Sequence, residues 1–244
     1  MKSVIAVSMH KAGSSLTDRI LVDFFETREF EIDRVASRVP SSPLQEPEFF
    51  AQYRPEMKPE GVYYGMARNP GTHELDFLRE FRIIAQMRDP RDCLVSGFFS
   101  FRESHVPPKD PSKVEEFEKR RARLLKKDID TYVIDTARNY LNRCTRIRKI
   151  VTDYPEVLLL HYEEMVEDTD RWLGRIAGFV DQPLTDQLRK KLARKTDFTV
   201  SKEDTSRHKR QITPGDHRRK LKPETIAELN EILGSELEFF GYGA

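Results

Sequence analysis

An α/β fold with a central, mainly parallel sheet is what the sequence predicts, on three observations. Short apolar runs alternate with longer helix-patterned segments along the chain. Its 244 residues suit one α/β domain, and a single domain over 1–244 is expected. Hydrophobic residues at 38% and charged residues at 34% supply both a core and a solvated surface, which argues against wholesale disorder.

Each element follows from its local pattern. Val4 to Val7 reads as a buried strand, and Ser14 to Glu26 as a helix whose stripe is Leu16, Ile20, Leu21, Phe24 and Phe25. Residues 40–59 hold five of the 14 prolines and are expected to form a long irregular excursion. Val62 to Tyr64 and Phe81 to Met87 predict two further strands. Asp89 and Pro90 then start a helix, as N-cap and first helical residue. The charged stretch Lys113 to Lys127 reads as a solvated helix or lid segment. Val133, Ala137, Tyr140, Leu141, Cys144, Ile147 and Val151 recur at helical spacing over 131–151, which makes Cys144 a core thiol. Glu156 to His161 predicts another strand, Glu163 to Val180 one helix, and Pro223 to about Phe239 the last.

No apolar run nears the roughly 18 residues that span a bilayer, and the N-terminal residues lack a signal-peptide core. A cytoplasmic protein is expected, with Cys93 and Cys144 as reduced thiols too few for a disulfide framework or a Cys-based zinc site. The net charge of +1 hides an uneven distribution: residues 187–222 carry thirteen Lys/Arg against four Asp/Glu. Such an excess belongs to a solvated face or an anion site. Balanced charge elsewhere argues against nucleic acid as a partner.

Two junctions carry chemistry. In Val7 to Leu16 a strand ends, a turn of small residues follows, and a helix begins. Successive amides and a helix N-terminus can then face one anion, with Lys11 adding a charge and Ser14 and Ser15 adding hydroxyls. It is not a Walker A loop, because Lys11 precedes Gly13 and nothing upstream matches. Alone it is a weak signal that reads more simply as an ordinary helix-capping turn. The second junction runs from Met87 to Ser96. Arg88 ends a strand, where open α/β sheets place ligands, and Ser96 lies two turns into the next helix. Arg88, Asp89, Arg91 and Asp92 could also simply pair across the helix start.

Together, a Lys-x-Gly-Ser-Ser turn after the first strand and Arg-Asp-Pro-Arg-Asp with Ser96 eight residues after Arg88 resemble the sulfotransferase family. His161-Tyr162-Glu163-Glu164-Met165, Asp197-Phe198 with Ser201-Lys202, and Arg210 followed by Gly215-Asp216-His217 resemble later family segments, in family order to about residue 220. The resemblance implies a P-loop-like three-layer α/β/α fold and use of 3′-phosphoadenosine 5′-phosphosulfate (PAPS), with adenosine 3′,5′-bisphosphate (PAP) as product. It implies that Lys11, Ala12, Gly13, Ser14, Ser15 and Leu16 hold the 5′-phosphosulfate. Arg88, Ser96 and Arg210 would hold the 3′-phosphate, and Tyr162, Thr196 and Phe198 would line the adenine. Leu16 stands where many members have an aromatic residue, His217 where they have Trp, and Gln211-Ile212 where they have Lys-Gly.

In-line sulfuryl transfer makes the demands of phosphoryl transfer: aligned groups, and a cation where charge develops on the leaving oxygen. Lys11 suits that role. The acceptor hydroxyl or amine must lose a proton, and the base is open between His73, His105, an acidic residue and His10. No Asp, Glu and His set stands at ligand spacing, so no metal is expected. The acceptor is a small molecule, lipid, peptide or saccharide that the sequence does not identify. An inactive PAPS- or PAP-binding module acting through protein contacts is the competing reading, against which the presence of Lys11 argues.

Overall fold

The computed structural model describes residues 1–27, 30–68, 75–198 and 212–243. Five strands, β1 (Val4–Ser8), β2 (Glu31–Ile32), β3 (Val62–Ala67), β4 (Arg82–Met87) and β5 (Val157–His161), form one sheet in the order β2-β3-β1-β4-β5. Every pairing is parallel. In β1, Val4 and Ala6 point into one buried cluster while Ile5 and Val7 point into another. A strand that feeds two cores must have helices on both faces, which makes the architecture three-layered.

One face is covered by α1 (Ser14–Glu26), α7 (Thr169–Phe179) and α8 (Asp186–Leu192). There Ile20, Leu21, Phe24 and Phe25 are buried, with the Phe25 ring stacked 4.7 Å from Tyr63. The other face takes α3 (Pro90–Phe99), α5 (Ile129–Asp153) and α10 (Pro223–Phe239). Cys93 and Cys144 sit in that layer as free, buried thiols. Burial pushes the Cys144 thiol up to about 12, so it stays protonated.

Two expectations need correction. The proline-rich stretch is not irregular throughout: it contains α2 (Glu46–Tyr53). Pro47 lies in the first turn, where its missing N–H is no loss, and Gln45 and Glu48 cap that turn reciprocally. The prolines bracket the helix instead of breaking it. The single helix expected over 163–180 is two, α6 (Tyr162–Glu167) and α7. Between them Asp168 leaves helical geometry, and its carboxylate accepts the Arg171 N–H at 3.0 Å to start the second. The charged segment is α4 (Pro111–Leu125), and α3 runs on into a π-helical turn over Ser100–Ser104. The remaining short helix is α9 (Asp216–Lys220).

β1 and β4 are neighbours in register, Val7 beside Ala85 and Ser8 beside Gln86. The two motif-bearing junctions therefore leave the same edge of the sheet side by side, where strand order reverses and ligands bind.

Candidate functional site

A cleft opens at that edge, lined by Lys11, Gly13, Ser14, Ser15, Leu16, Arg19, Arg88, Ser96, Tyr162, Phe198 and Ile212. Nine of these were expected from sequence, and the fold brings them together across 188 positions of chain. The turn that forms its base is strained in a productive way. Lys11 has a φ of 72° and Gly13 one of 76°, so the chain reverses within three residues and enters α1 without a side-chain cap. A Cβ on Gly13 would stand 2.7 Å from Cδ2 of the Tyr162 ring. The backbone comes this close to Tyr162 only because residue 13 has no side chain. The Ala12 N–H turns back to the Met9 carbonyl at 3.4 Å and that of Leu16 to Gly13 at 2.9 Å. Ser14 and Ser15 head the helix with their hydroxyls at the cleft.

Arg88 forms the opposite side. Its Nη1 donates to the Lys11 carbonyl at 3.2 Å, its Nη2 lies 3.8 Å from Asp92, and its guanidinium carbon sits 4.3 Å from the centre of the Tyr162 ring. The Tyr162 hydroxyl is tied to the Ile212 carbonyl at 3.0 Å. Arg88 is 4% exposed, yet its Nε–H has no partner among the described residues. A buried guanidinium with a donor left over has the capacity for one more acceptor.

Beneath Arg88, Asp92 anchors the late loop. Its carboxylate accepts the amides of Gly215 and His217 at 2.8 and 2.9 Å, and His217 Nδ1 lies 2.6 Å from it. Burial opposes the charge of Asp92, but the bonds from His217 and the nearby Arg88 outweigh it and hold the carboxyl at about 2. His217, standing where the family has Trp, therefore braces the floor under Arg88. Arg91 is structural too: it grips Asp89 in a fork at 3.0 and 2.8 Å, and reaches Asn230 and the Tyr242 and Gly243 carbonyls. Half of the Arg-Asp-Pro-Arg-Asp run thus serves the helix start and the C-terminus.

The structure separates other residues from the cleft. Thr196 lines a different depression with Asp168 and Arg189, and its hydroxyl donates to the Leu192 carbonyl. Ala12 is buried and faces the core. His105 stands with Phe101 and Phe117, at ring separations of 4.8 and 6.0 Å. His73, Ser201, Lys202 and Arg210 lie outside the described residues. Among the described residues, no group of three His, Cys, Asp or Glu side chains is arranged to hold a metal ion. No helix of theirs is long and apolar enough to cross a membrane.

Two basic residues escaped the sequence reading. Arg19 lies one turn beyond Ser15 on α1, a helical spacing that points both to one face. Arg68 follows the C-terminal end of β3 and donates from Nε to Ser14 Oγ at 3.0 Å and from Nη2 to Ser15 Oγ at 3.3 Å. Its position just after a parallel strand was the available signal. Near Lys11, His10 is only partly exposed. Burial first, then Arg143, Arg68, His105 and Lys11, push its imidazole down to about 3. It is uncharged at neutral pH.

An open parallel sheet with a cleft lined by basic and hydroxyl side chains at its switch point is where such α/β folds place their ligands, and comparison makes the class specific. The sulfotransferase domain family matches residues 2–240, so this chain belongs to the sulfotransferase family. Among solved structures it is similar to mouse sulfotransferase SULT7A1 complexed with PAP, at TM-score 0.67 and 16% identity, over 97% of this chain and 84% of that one. It is also similar to sulfotransferase STF9 from Mycobacterium avium, at TM-score 0.52 and 12% identity over 98% and 76% of the two chains. The sulfotransferase domain of the Synechococcus PCC 7002 olefin synthase gives 0.52 and 13% over 99% and 94%. At these identities the likeness is one of fold. No curated protein matches the sequence.

Proposed function

We propose that this protein, as one domain over 1–244, moves the sulfuryl group of PAPS to a hydroxyl or amine of a small-molecule acceptor. The observation that carries the reading is the unpartnered Nε–H of buried Arg88 facing a cleft whose other side holds Lys11 and the head of α1. PAP bound to the mouse relative, and a retinol dehydratase similar in fold whose structure holds retinol and PAP, support the same reading by analogy.

The residues present fit such a group. Ser14, Ser15, Lys11 and Arg68 would hold its 5′-phosphosulfate, and Arg88 with Ser96 its 3′-phosphate; Tyr162 and Phe198 would flank the base. When bound, PAPS supplies an activated sulfuryl group on a good phosphate leaving group. Lys11 stabilises the negative charge that grows on the leaving oxygen, and Arg68 adds a second cation beside it. Arg88 fixes the far end of the nucleotide, so that the reacting end is aligned before transfer. His10 adjoins Lys11 in sequence and is neutral, the form that can accept the acceptor's proton. An anion beside Lys11 and Arg68 offsets the cations that add to its depression, while the larger effect of burial stays.

Calorimetric titration with PAP tests the reading. Wild type is expected to bind in the micromolar range, and Arg88→Ala to weaken binding by about 30-fold or more, the cost of a charge-assisted contact. Lys11→Ala should bind PAP but lose about 100-fold or more in turnover of labelled PAPS. A folded wild type that does not bind PAP would overturn the proposal.

A further inference from the structure

Outside the lining of the Arg88 cleft, the molecule carries a second basic group. The Tyr140 hydroxyl, from α5, donates to the His10 carbonyl at 3.4 Å. That hydroxyl lies 3.6 Å, and Phe101 Cε2 3.7 Å, from the point a Cβ would occupy on Gly97 of α3. The Phe101 ring in turn meets that of His105. His10, Tyr140, Gly97, Phe101 and His105 thus form one continuous wall leading away from Lys11. Arg143 stands over it, one helical turn past Tyr140, its guanidinium carbon 5.3 Å from the Tyr140 ring centre.

Arg143, and Arg120 of α4 with its guanidinium carbon 4.7 Å from the Phe101 ring centre, differ from the other arginines that stack on rings. Arg38 also holds Asp33, Arg82 holds Asp181, Arg102 holds the Lys127 carbonyl and Arg148 lies beside Glu236. Arg143 has neither a carboxylate nor a carbonyl partner among the described residues, and it is partly exposed. It does not line the cleft that holds Arg88, so a nucleotide there leaves it unneutralised. Arg68, on the near side, is likewise without a carboxylate ion pair among the described residues, but its bonds to Ser14 and Ser15 commit it to the cleft.

We infer that the acceptor of this enzyme carries an anionic group, a carboxylate being the simplest, which Arg143 receives while the hydroxyl to be sulfated lies toward Lys11 and His10. The inference rests on the PAPS-dependent reading above. A partly exposed guanidinium with no carboxylate partner gives a carboxylate a charge-assisted contact that a neutral group of equal size cannot make. A neutral acceptor would leave that charge unused.

The test uses two matched pairs of probes on the PAP-loaded full chain: 4-hydroxyphenylacetate against 2-(4-hydroxyphenyl)ethanol, and 3-hydroxybutyrate against 1,3-butanediol. In wild type at least one carboxylate is expected to bind about tenfold more tightly than its neutral partner. The ratio should fall toward one in Arg143→Gln and recover in part in Arg143→Lys, while PAP titration of each variant reports that it is folded. Equal affinity within both pairs, or no binding of any probe at about 5 mM, overturns the inference even where PAP binds. A carboxylate preference that survives in Arg143→Gln overturns the role of Arg143. Failure of wild type to bind PAP is a separate result: it removes the underlying reading, and this inference with it.

Discussion

The floor of the cleft and the wall beyond Lys11 are built in different ways. The floor is made where two adjacent strands end, so Lys11 and Arg88 are placed by the sheet register itself. Below it, Asp92, His217, Asp89 and Arg91 form a buried ionic and hydrogen-bonded network that reaches the C-terminus. The wall takes Gly97 and Tyr140 from the buried contact of α3 with α5, and α4, which reaches it through Phe117 and His105, meets the proline-rich excursion by polar bonds. There Lys113 of α4 holds the Val39 and Leu44 carbonyls at 3.4 and 2.7 Å, and the amides of Lys109 and Asp110 reach the Pro40 carbonyl. Such bonds are replaceable by water. One region is fixed by buried bonds and the other is held by bonds that can be remade, which on the proposed function suits a constant cofactor and a variable acceptor.

The contrast can be broken most sharply at Gly13. A side chain there must accept a φ of 76° and push against Tyr162, so Gly13→Ala should cost about 3 kcal/mol in chemical denaturation and abolish PAP binding. An unchanged midpoint would show that the turn is not rigid. The two regions should also separate in acid. His10 has its imidazole lowered from 6.5 to about 3, so the stability it confers is complete above pH 6.5 and fades as pH falls toward 3. Asp92, lowered from 3.8 to about 2, keeps its contribution until pH drops below 4 and loses it toward 2. His10→Gln should therefore remove the earlier loss, of up to about 5 kcal/mol, and Asp92→Asn the later one, of about 2 kcal/mol, read from denaturation at a series of pH values. Coincident acid profiles for the two variants would erase the distinction. The smallest effect belongs to Lys113→Met. It should change global stability by under about 1 kcal/mol, yet speed amide exchange over 39–45. Unaltered exchange there would mean that the excursion is held by its own packing.

Much of the fold was legible because its signals are local. Gly13 before a striped helix, Asp89-Pro90 at a helix start and the apolar runs of β1, β4 and β5 act within a turn or a strand. The misjudged segments failed for local reasons also. Pro47 was counted as a breaker although a first-turn proline is tolerated, and Asp168 was absorbed into a helix that it in fact restarts. Of the cleft, those residues were readable that sit in the two junction motifs or in the later segments the resemblance covers.

By itself, then, the sequence determined the strand-turn-helix units and the chemistry that each junction offers, because caps, periodicity and backbone conformation depend on near neighbours. Tertiary structure alone decided which basic groups converge. Arg68 and Ser14 stand 54 residues apart, Tyr140 and His10 130, and His217 and Asp92 125. Such meetings leave no periodic trace in a sequence. They arise because the strand order sets β1 between β3 and β4, and the helices that follow must pack where the sheet's two apolar faces allow.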